Sequence, residues 1–412
     1  MLSRSVASSV KDALADTPVV VIQGARQVGK STLAGMVSAG RARHIVTLDD
    51  ELARAAAAED PVGFLRQAGD GLLVIDEAQR SPELILPLKA EVDHDRRPGR
   101  FLLTGSADLL RVKGVGDSLA GRAETIELLP LSQGEIAGRT NPEDVVAWIL
   151  DGAPTPARVP LEPGVVLRGG YPEPLARTER RASAWFANYA QRLADHDARD
   201  LQQGSYADEL ASLMRIVAAG GSAELVKAKL ARELGVSQST VDAYLRLMAT
   251  MHLTLTLPAW GRSARGRAVR RPKTALIDSG LSAHLAGLRA AKVTALGTRE
   301  LYGALVEQFV ALELAKQRTW SREQFDIFHF RDPDGLEVDI VIELRDGPLI
   351  AIEVKSGQTV SARSWATLER FRSRHCDRDV IGVVLHGGSD VAQFHDWLHV
   401  VPIPNLWAHP LV

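Results

Sequence analysis

The chain has 412 residues, of which 45% are apolar and 24% charged, with a formal net charge of −2. That length is too great for one compact core, so two or three globular domains are expected, and the composition excludes a disordered chain. The near-balanced charge excludes a generally basic nucleic-acid coat protein and leaves any nucleic-acid contact to a local patch. The single cysteine, Cys376, excludes an intramolecular disulfide and a cysteine-rich zinc site and fits a reducing, cytoplasmic setting. No apolar run approaches the roughly 20 residues that cross a bilayer. The opening "MLSRSVASSVKDALADTPVVVIQG" is broken by Lys11, Asp12 and Asp16, which argues against a secretory signal.

Along the first third, "PVVVIQG" (18–24), "HIVTLDD" (44–50), "GLLVIDEA" (71–78), "RFLLTGS" (100–106) and "AETIELLP" (123–130) read as strands. Near-continuous apolar runs suit strands covered on both faces, as in a parallel α/β sheet. Residues 138–165 are rich in Pro and Gly and read as a boundary. From about 178 to 250 the pattern is helical, with Trp185, Tyr189 and Leu193 on one face. "HLTLTLPAW" (252–260) returns to alternation. The end of the chain offers one helix, "RELYGALVEQFVALELAKQ", and strands at 325–330, 337–343, 349–355 and 380–385, a separate mixed α/β block.

"GARQVGKS", Gly24 to Ser31, follows a strand and precedes a helix. Its glycines let backbone N–H groups curl around phosphate oxygens at a helix N-terminus. Gly24, Ala25, Arg26, Gln27, Val28, Gly29, Lys30, Ser31 and Thr32 are therefore the expected ATP loop. Lys30 would reach the β- and γ-phosphates, and the Ser31 hydroxyl would hold Mg²⁺. "LLVIDEAQ" ends a strand on two acids, placing Asp76 near Mg²⁺ and Glu77 where it activates a water. "LLTGS" adds Thr104 and Ser106, small polar groups suited to orienting that water. "SLAGR" presents Arg122, a candidate arginine finger for a neighbouring subunit's γ-phosphate.

"KLARELGVSQSTVDAYLRLM" (229–248) has the form of a helix-turn-helix. Leu230 and Leu234 mark one apolar face, Gly235 permits the turn, and Ser237 caps the next helix. Val241, Leu245 and Met248 are expected inside, with Ser239, Asp242 and Arg246 outside. The acid-free run "WGRSARGRAVRRPK" follows, where a wing would sit. Its Arg262, Arg265, Arg267, Arg270, Arg271 and Lys273 are candidate DNA-phosphate contacts, or else a solvated basic loop beside a structural lid. Asp242 on the reading face counts against tight docking. "GGYPEP" (169–174) shapes the junction into the helical segment.

In "LEVDIVIELRDGPLIAIEVKSG" (336–357), Glu353 and Lys355 share a strand face. Pairing of "EVDIVIE" with "LIAIEVK" through the "RDGP" turn would bring Asp339 near Glu353. Those carboxylates, the Val354 carbonyl and Glu307 from the preceding helix would make an oxygen site for Mg²⁺. Lys355 would then position or deprotonate water and stabilise phosphoryl charge. His329 is expected to be a strand residue.

"GARQVGKSTL", "LLVIDEAQ", "LLTGSADLL", "SLAGR…ELLPLSQGE", "GGYPEPL", "ALIDSGLSAHLAG" and "HFRDPDGLEVDIVIE…IAIEVKSG" together resemble a group of prokaryotic AAA-plus ATPases. Their end segment is similar to the PD-(D/E)XK nuclease superfamily. The resemblance implies an α/β fold: a P-loop AAA-plus parallel-sheet domain over 1–160, a helical lid and winged helix over 161–290, and a restriction-endonuclease-like mixed domain over 291–412. It further implies nucleotide hydrolysis, a homo-oligomer such as a hexameric ring, and a sensor role for Thr104 and Ser106. The expected function is an ATP-driven machine acting on DNA with a metal-dependent nuclease-like end. The alternatives are a non-cleaving ATP switch, whose end domain only grips, and an interaction scaffold in a defence or toxin-type module.

Overall fold

The structure, a computed structural model, describes residues 2–106, 119–139, 141–197, 207–263, 267, 270–293, 295 and 297–408. Two compact units emerge: Met1–Leu131 with Met248–Leu253, and Ser132–Leu247 with Thr254–Val412. No helix among the described residues is long and apolar enough to cross a membrane.

The first unit is built on five parallel strands, β1 (Val19–Gln23), β2 (Arg43–Thr47), β3 (Leu72–Asp76), β4 (Phe101–Gly105) and β5 (Ala123–Glu127), in the order β2-β3-β4-β1-β5. The five expected strands are all present. Every residue of β1 and β4 is buried, which is what continuous apolar runs in a doubly covered sheet require. Val21, Leu73, Ile75, Leu103 and Val92 share one core cluster. Because β4 lies between β3 and β1, the C-terminal ends of these three strands open side by side. Crevices at that edge are where open α/β sheets bind ligands.

The second unit holds both the helical segment and a mixed sheet. In the former, the helix Glu179–Asp197 buries Trp185, Tyr189 and Leu193, as its spacing requires. The helices Lys227–Leu234 and Gln238–Thr250 meet at Gly235, whose φ of 68° is the left-handed value a glycine takes without strain. Ser237 Oγ accepts from the Thr240 amide at 3.1 Å, capping the second helix. Val241, Tyr244 and Met248 are its most buried residues, with Leu245 only half-buried. A small antiparallel sheet combines β6 (Ala223–Glu224), β7 (Thr254–Leu257) and β8 (Lys273–Leu276) in the order β6-β8-β7.

The "GGYPEP" segment has a packing role. The Gly170 amide donates to Asp278 Oδ2 at 2.6 Å, and a Cβ on Gly169 would lie 2.4 Å from the same carboxylate. Tyr171 packs at tilted and edge-on angles against Trp185, Phe186 and Tyr189, its hydroxyl 3.0 Å from that of Tyr189.

The six-stranded sheet contains β9 (Phe325–Arg331), β10 (Glu337–Leu344), β11 (Leu349–Lys355), β12 (Val380–His386), β13 (Ala392–Phe394) and β14 (Leu398–Pro402), ordered β13-β14-β12-β11-β10-β9. β9, β10 and β11 are antiparallel, and β11, β12 and β14 run parallel. β13 and β14 were not expected from sequence. The helix Arg299–Gln317 is buried along most of its length, and Glu313 within it is matched by Lys316 at 2.7 Å.

Candidate functional sites

The loop Gly24–Gly29 leaves β1 and enters the helix Lys30–Val37. Gly29 has φ 100°, and a Cβ on Gly24 would lie 2.2 Å from the Leu128 carbonyl oxygen, so both positions require glycine. Gln27, at φ 65°, occupies the left-handed region without being glycine. Ala25 and Val28 are buried, whereas Arg26, Ser31 and Thr32 face outward. Lys30 is 5% exposed and donates to the carbonyls of Gly24 at 3.0 Å and Ala25 at 2.9 Å. Burial pulls its pKa down to about 8, against the opposing charges of Glu77 and Asp76.

Ser31 Oγ donates to both Asp76 oxygens, at 2.8 and 3.0 Å. Thr104 Oγ1 donates to Asp76 Oδ1 and accepts from the Glu77 amide at 3.2 Å. Ser106 Oγ lies 3.3 Å from Glu77 Oε2, and Gln79 Nε2 donates to that oxygen and to Ser106 Oγ, the latter at 3.0 Å. The structure thus brings Lys30, Ser31, Asp76, Glu77, Thr104 and Ser106 to one edge of one sheet. Glu77 sits at φ 56°, a left-handed conformation costing a non-glycine residue about 1–3 kcal/mol. It turns the chain so that neighbouring carboxylates point to different partners. The Ser31 hydroxyl beside the Asp76 carboxylate is a hard-oxygen pair, the donor chemistry that Mg²⁺ takes.

Two residues here were not anticipated. Gln79 was visible in "DEAQ", three positions after Asp76, as an amide that could steer a carboxylate. Arg4 donates to the carbonyls of Val28 at 2.8 Å and Leu129 at 2.6 Å, bracing the loop from the N-terminus; no sequence signal points to it. Arg122 donates to Asp93 at 2.7 and 3.0 Å, and this contact holds the Asp93 carboxyl below its usual range.

Residues 16–137 match the AAA domain family. All but the last six of these matched residues lie in the first unit. Residues 163–292 and 302–406 match two domain families of unknown function, DUF8612 and DUF4143. Uncharacterised proteins of Mycobacterium bovis and Mycobacterium tuberculosis are each 29% identical to this chain over 366 residues, which is 87% of it and 75% of them. Among solved structures, a Walker-type ATPase of Pyrococcus abyssi is 15% identical, covers 69% of this chain and 96% of its own, and has a TM-score of 0.45. A DNA replication initiation factor is 15% identical, with 60% of this chain and 90% of its own covered, at a TM-score of 0.25.

The basic run after β7 differs from a free wing. Lys273 is 4% exposed and bridges Glu307 at 2.8 Å and Glu337 at 3.1 Å, so it faces carboxylates, not solvent phosphate. Arg267 grips Glu343 in a bidentate pair at 2.6 and 3.0 Å and lies over the Phe328 ring. Arg262 pairs with Asp377 at 2.7 Å, while Arg270 reaches the carbonyls of Trp260 and Arg331. Arg271 is exposed, and Arg265 lies outside the described residues. A run without acids of its own met them from distant segments. Conversely Asp242, expected to repel phosphate, is neutralised by Lys227 at 2.5 Å. Lys229, Arg232 and Arg246 stand exposed on the same two helices.

In the six-stranded sheet, the register Ile340↔Ile352 sets Asp339 opposite Glu353. Asp339 Oδ2 accepts from the Val354 amide at 2.8 Å, and Lys355 Nζ lies 2.5 Å from Glu353 Oε1. Burial and then the Asp339 charge push Glu307 and Glu353 up to about 7, and burial raises Asp339. Glu337, two residues before Asp339 and legible as its same-face neighbour, joins the cluster through Lys273. The expected gathering of Glu307, Asp339, Glu353 and Lys355 is therefore present, but the expected Mg²⁺ site is not. Glu307 is bound by Lys273 and Glu353 by Lys355, and the Val354 amide donates to Asp339. Among the described residues, no group of three or more His, Cys, Asp or Glu is placed to hold a metal ion. In this arrangement one oxygen each of Glu307 and Glu353 is taken by a lysine, while Glu353 Oε2 is buried without a hydrogen-bond partner among the described residues. His329 lies in β9, as expected, with Nε2 3.0 Å from the Arg271 carbonyl.

Proposed function

We propose that this protein is an ATP-hydrolysing switch that works on DNA as a homo-oligomer. Its three modules in this reading are an ATPase over 1–160, a DNA-contacting helical region over 161–290, and an end domain over 291–412 that binds without cutting. The supporting observation is the chain of contacts Ser31–Asp76–Thr104–Glu77 beside Lys30. Gly24 to Thr32 wrap the phosphates, and Lys30 exchanges two loop carbonyls for phosphate oxygens. Ser31 and Asp76 would hold Mg²⁺, which supplies charge neutralisation on the phosphates. Glu77 takes the proton of the water that attacks the γ-phosphorus, leaving ADP and phosphate. Thr104 fixes the angle between Asp76 and Glu77, while Ser106 and Gln79 aim the Glu77 carboxylate. Arg122 reaches a neighbouring subunit's γ-phosphate once it leaves Asp93.

For DNA, the exposed Lys229, Arg232 and Arg246 of the two-helix element offer phosphate contacts, and Arg271 can add another. The lysine-paired carboxylates favour the non-cleaving form of this reading. Phosphate release from ATP by wild type, Lys30→Ala and Glu77→Gln tests the core of the proposal. Lys30→Ala should lose nucleotide binding, and Glu77→Gln should bind without turnover.

A further inference from the structure

Lys273 is the residue whose surroundings differ most from what its sequence context suggests. It heads β8, with Glu224 and Leu257 as cross-strand neighbours. The approach to it is pinned as well: His329 bonds the Arg271 carbonyl, and the Trp260 amide donates to the His329 carbonyl at 2.6 Å. The side chain is 5% exposed, with Nζ 2.8 Å from Glu307 and 3.1 Å from Glu337. The Asp339 charge acts on the same ammonium. Lys355, the other cation of the cluster, is 39% exposed and can swing to water. Lys273 cannot do so while β8 stays paired.

We infer that Lys273 supplies from within the chain the cation that a metal-dependent site would take from solvent, so that Glu307 and Glu337, beside Asp339, are held by a lysine in place of a divalent ion. An ammonium offers three donors, enough to engage two carboxylates and still lie beside a third. Because it is tethered to a paired strand, no dilution removes it. A divalent ion entering among Glu307, Asp339 and Glu353 would meet this positive charge at close range. It would also have to leave a buried ammonium without its partners, which is strongly unfavourable. The cluster is thus a lysine–carboxylate lock between the small sheet and the six-stranded sheet. Removing its lysine would expose a set of hard oxygen donors. The inference concerns the end domain alone and is independent of the ATPase reading.

The test is calorimetric titration of Mn²⁺ into the nucleotide-free full-length protein, comparing wild type, Asp339→Asn, Lys273→Met, and Lys273→Met with Asp339→Asn. Wild type should show no Asp339-dependent uptake. Lys273→Met should bind one Mn²⁺ at least about 10-fold more tightly, and the added Asp339→Asn should abolish that binding. Should Lys273→Met fail to fold by circular dichroism, Lys273→Gln retains reach and a hydrogen-bond donor without the charge. Mn²⁺ binding by wild type that is lost in Asp339→Asn alone would overturn the inference, whatever the Lys273 variants do. Absence of binding in both wild type and the Lys273 variants would remove the excluding role of Lys273 but leave the non-cleaving reading standing.

Discussion

The Thr104 hydroxyl donates to Asp76 and accepts from the amide of Glu77, so one buried side chain ties together two consecutive acids of opposite assignment. Removing it frees both. Thr104→Val should leave ATP binding within a few-fold of wild type and lower steady-state phosphate release by roughly 10²-fold, the order expected for losing a group that positions a general base. Thr104→Ser, which retains the hydroxyl, should recover most of the rate. A Thr104→Val enzyme with unchanged turnover would free Glu77 from dependence on this bond.

Lys30 gives a pH signature. Burial holds it at about 8 in the free loop, and phosphate charge should return it toward the usual lysine value of about 10.4. Between those values ATP binding takes up a proton, so affinity falls as pH rises above about 8. Calorimetry at pH 8 in buffers of different ionisation enthalpy should show uptake of about half a proton per ATP, and much less at pH 6.5. The sign for folding is opposite. A depressed lysine pKa destabilises the empty protein at pH below 8, and that penalty is relieved as pH rises from about 8 toward the unfolded value.

Arg122 is engaged by Asp93 within its own subunit. If it acts in trans, Asp93→Ala should preserve or raise turnover by releasing it, whereas Arg122→Ala should bind ATP and lose on the order of 10³-fold in rate. Mixing Arg122→Ala with Glu77→Gln subunits should restore part of the activity, because one shared interface then holds both intact groups. Proven co-assembly with no recovery would rule against the trans role.

The DNA surface is predicted to be centred on the two-helix element, with Arg271 as the one contact from the basic run. Lys229→Ala with Arg246→Ala should flatten the dependence of log affinity on log salt by up to about two units on duplex DNA. Arg267→Ala should barely change the slope, since that guanidinium is already bound to Glu343. The reverse pattern would return the DNA contact to the segment from Arg262 to Lys273.

The parts of this molecule that were legible in its sequence are those where local chemistry decides the outcome. β1 and β4 could be read because a strand covered on both faces must be apolar throughout. The Gly24–Ser31 loop could be read because phosphate wrapping needs glycines at fixed spacing. Lys273 could not, since its fate depends on Glu307 and Glu337, acids contributed by a later helix and strand. Arg267 was hidden in the same way by Glu343. The inward face of the second helix slipped from Leu245 to Tyr244 because i, i+3 and i, i+4 spacings satisfy one apolar stripe equally. Short edge strands such as β13, three residues long, carry too few alternations to stand out.

The most direct test of the account is single-turnover phosphate release by Glu77→Gln alongside its affinity for ATP. The predicted result is nucleotide binding close to wild type, with hydrolysis slowed by about 10²-fold or more. Hydrolysis at the wild-type rate by Glu77→Gln would contradict the assignment of Glu77 as the group that activates water.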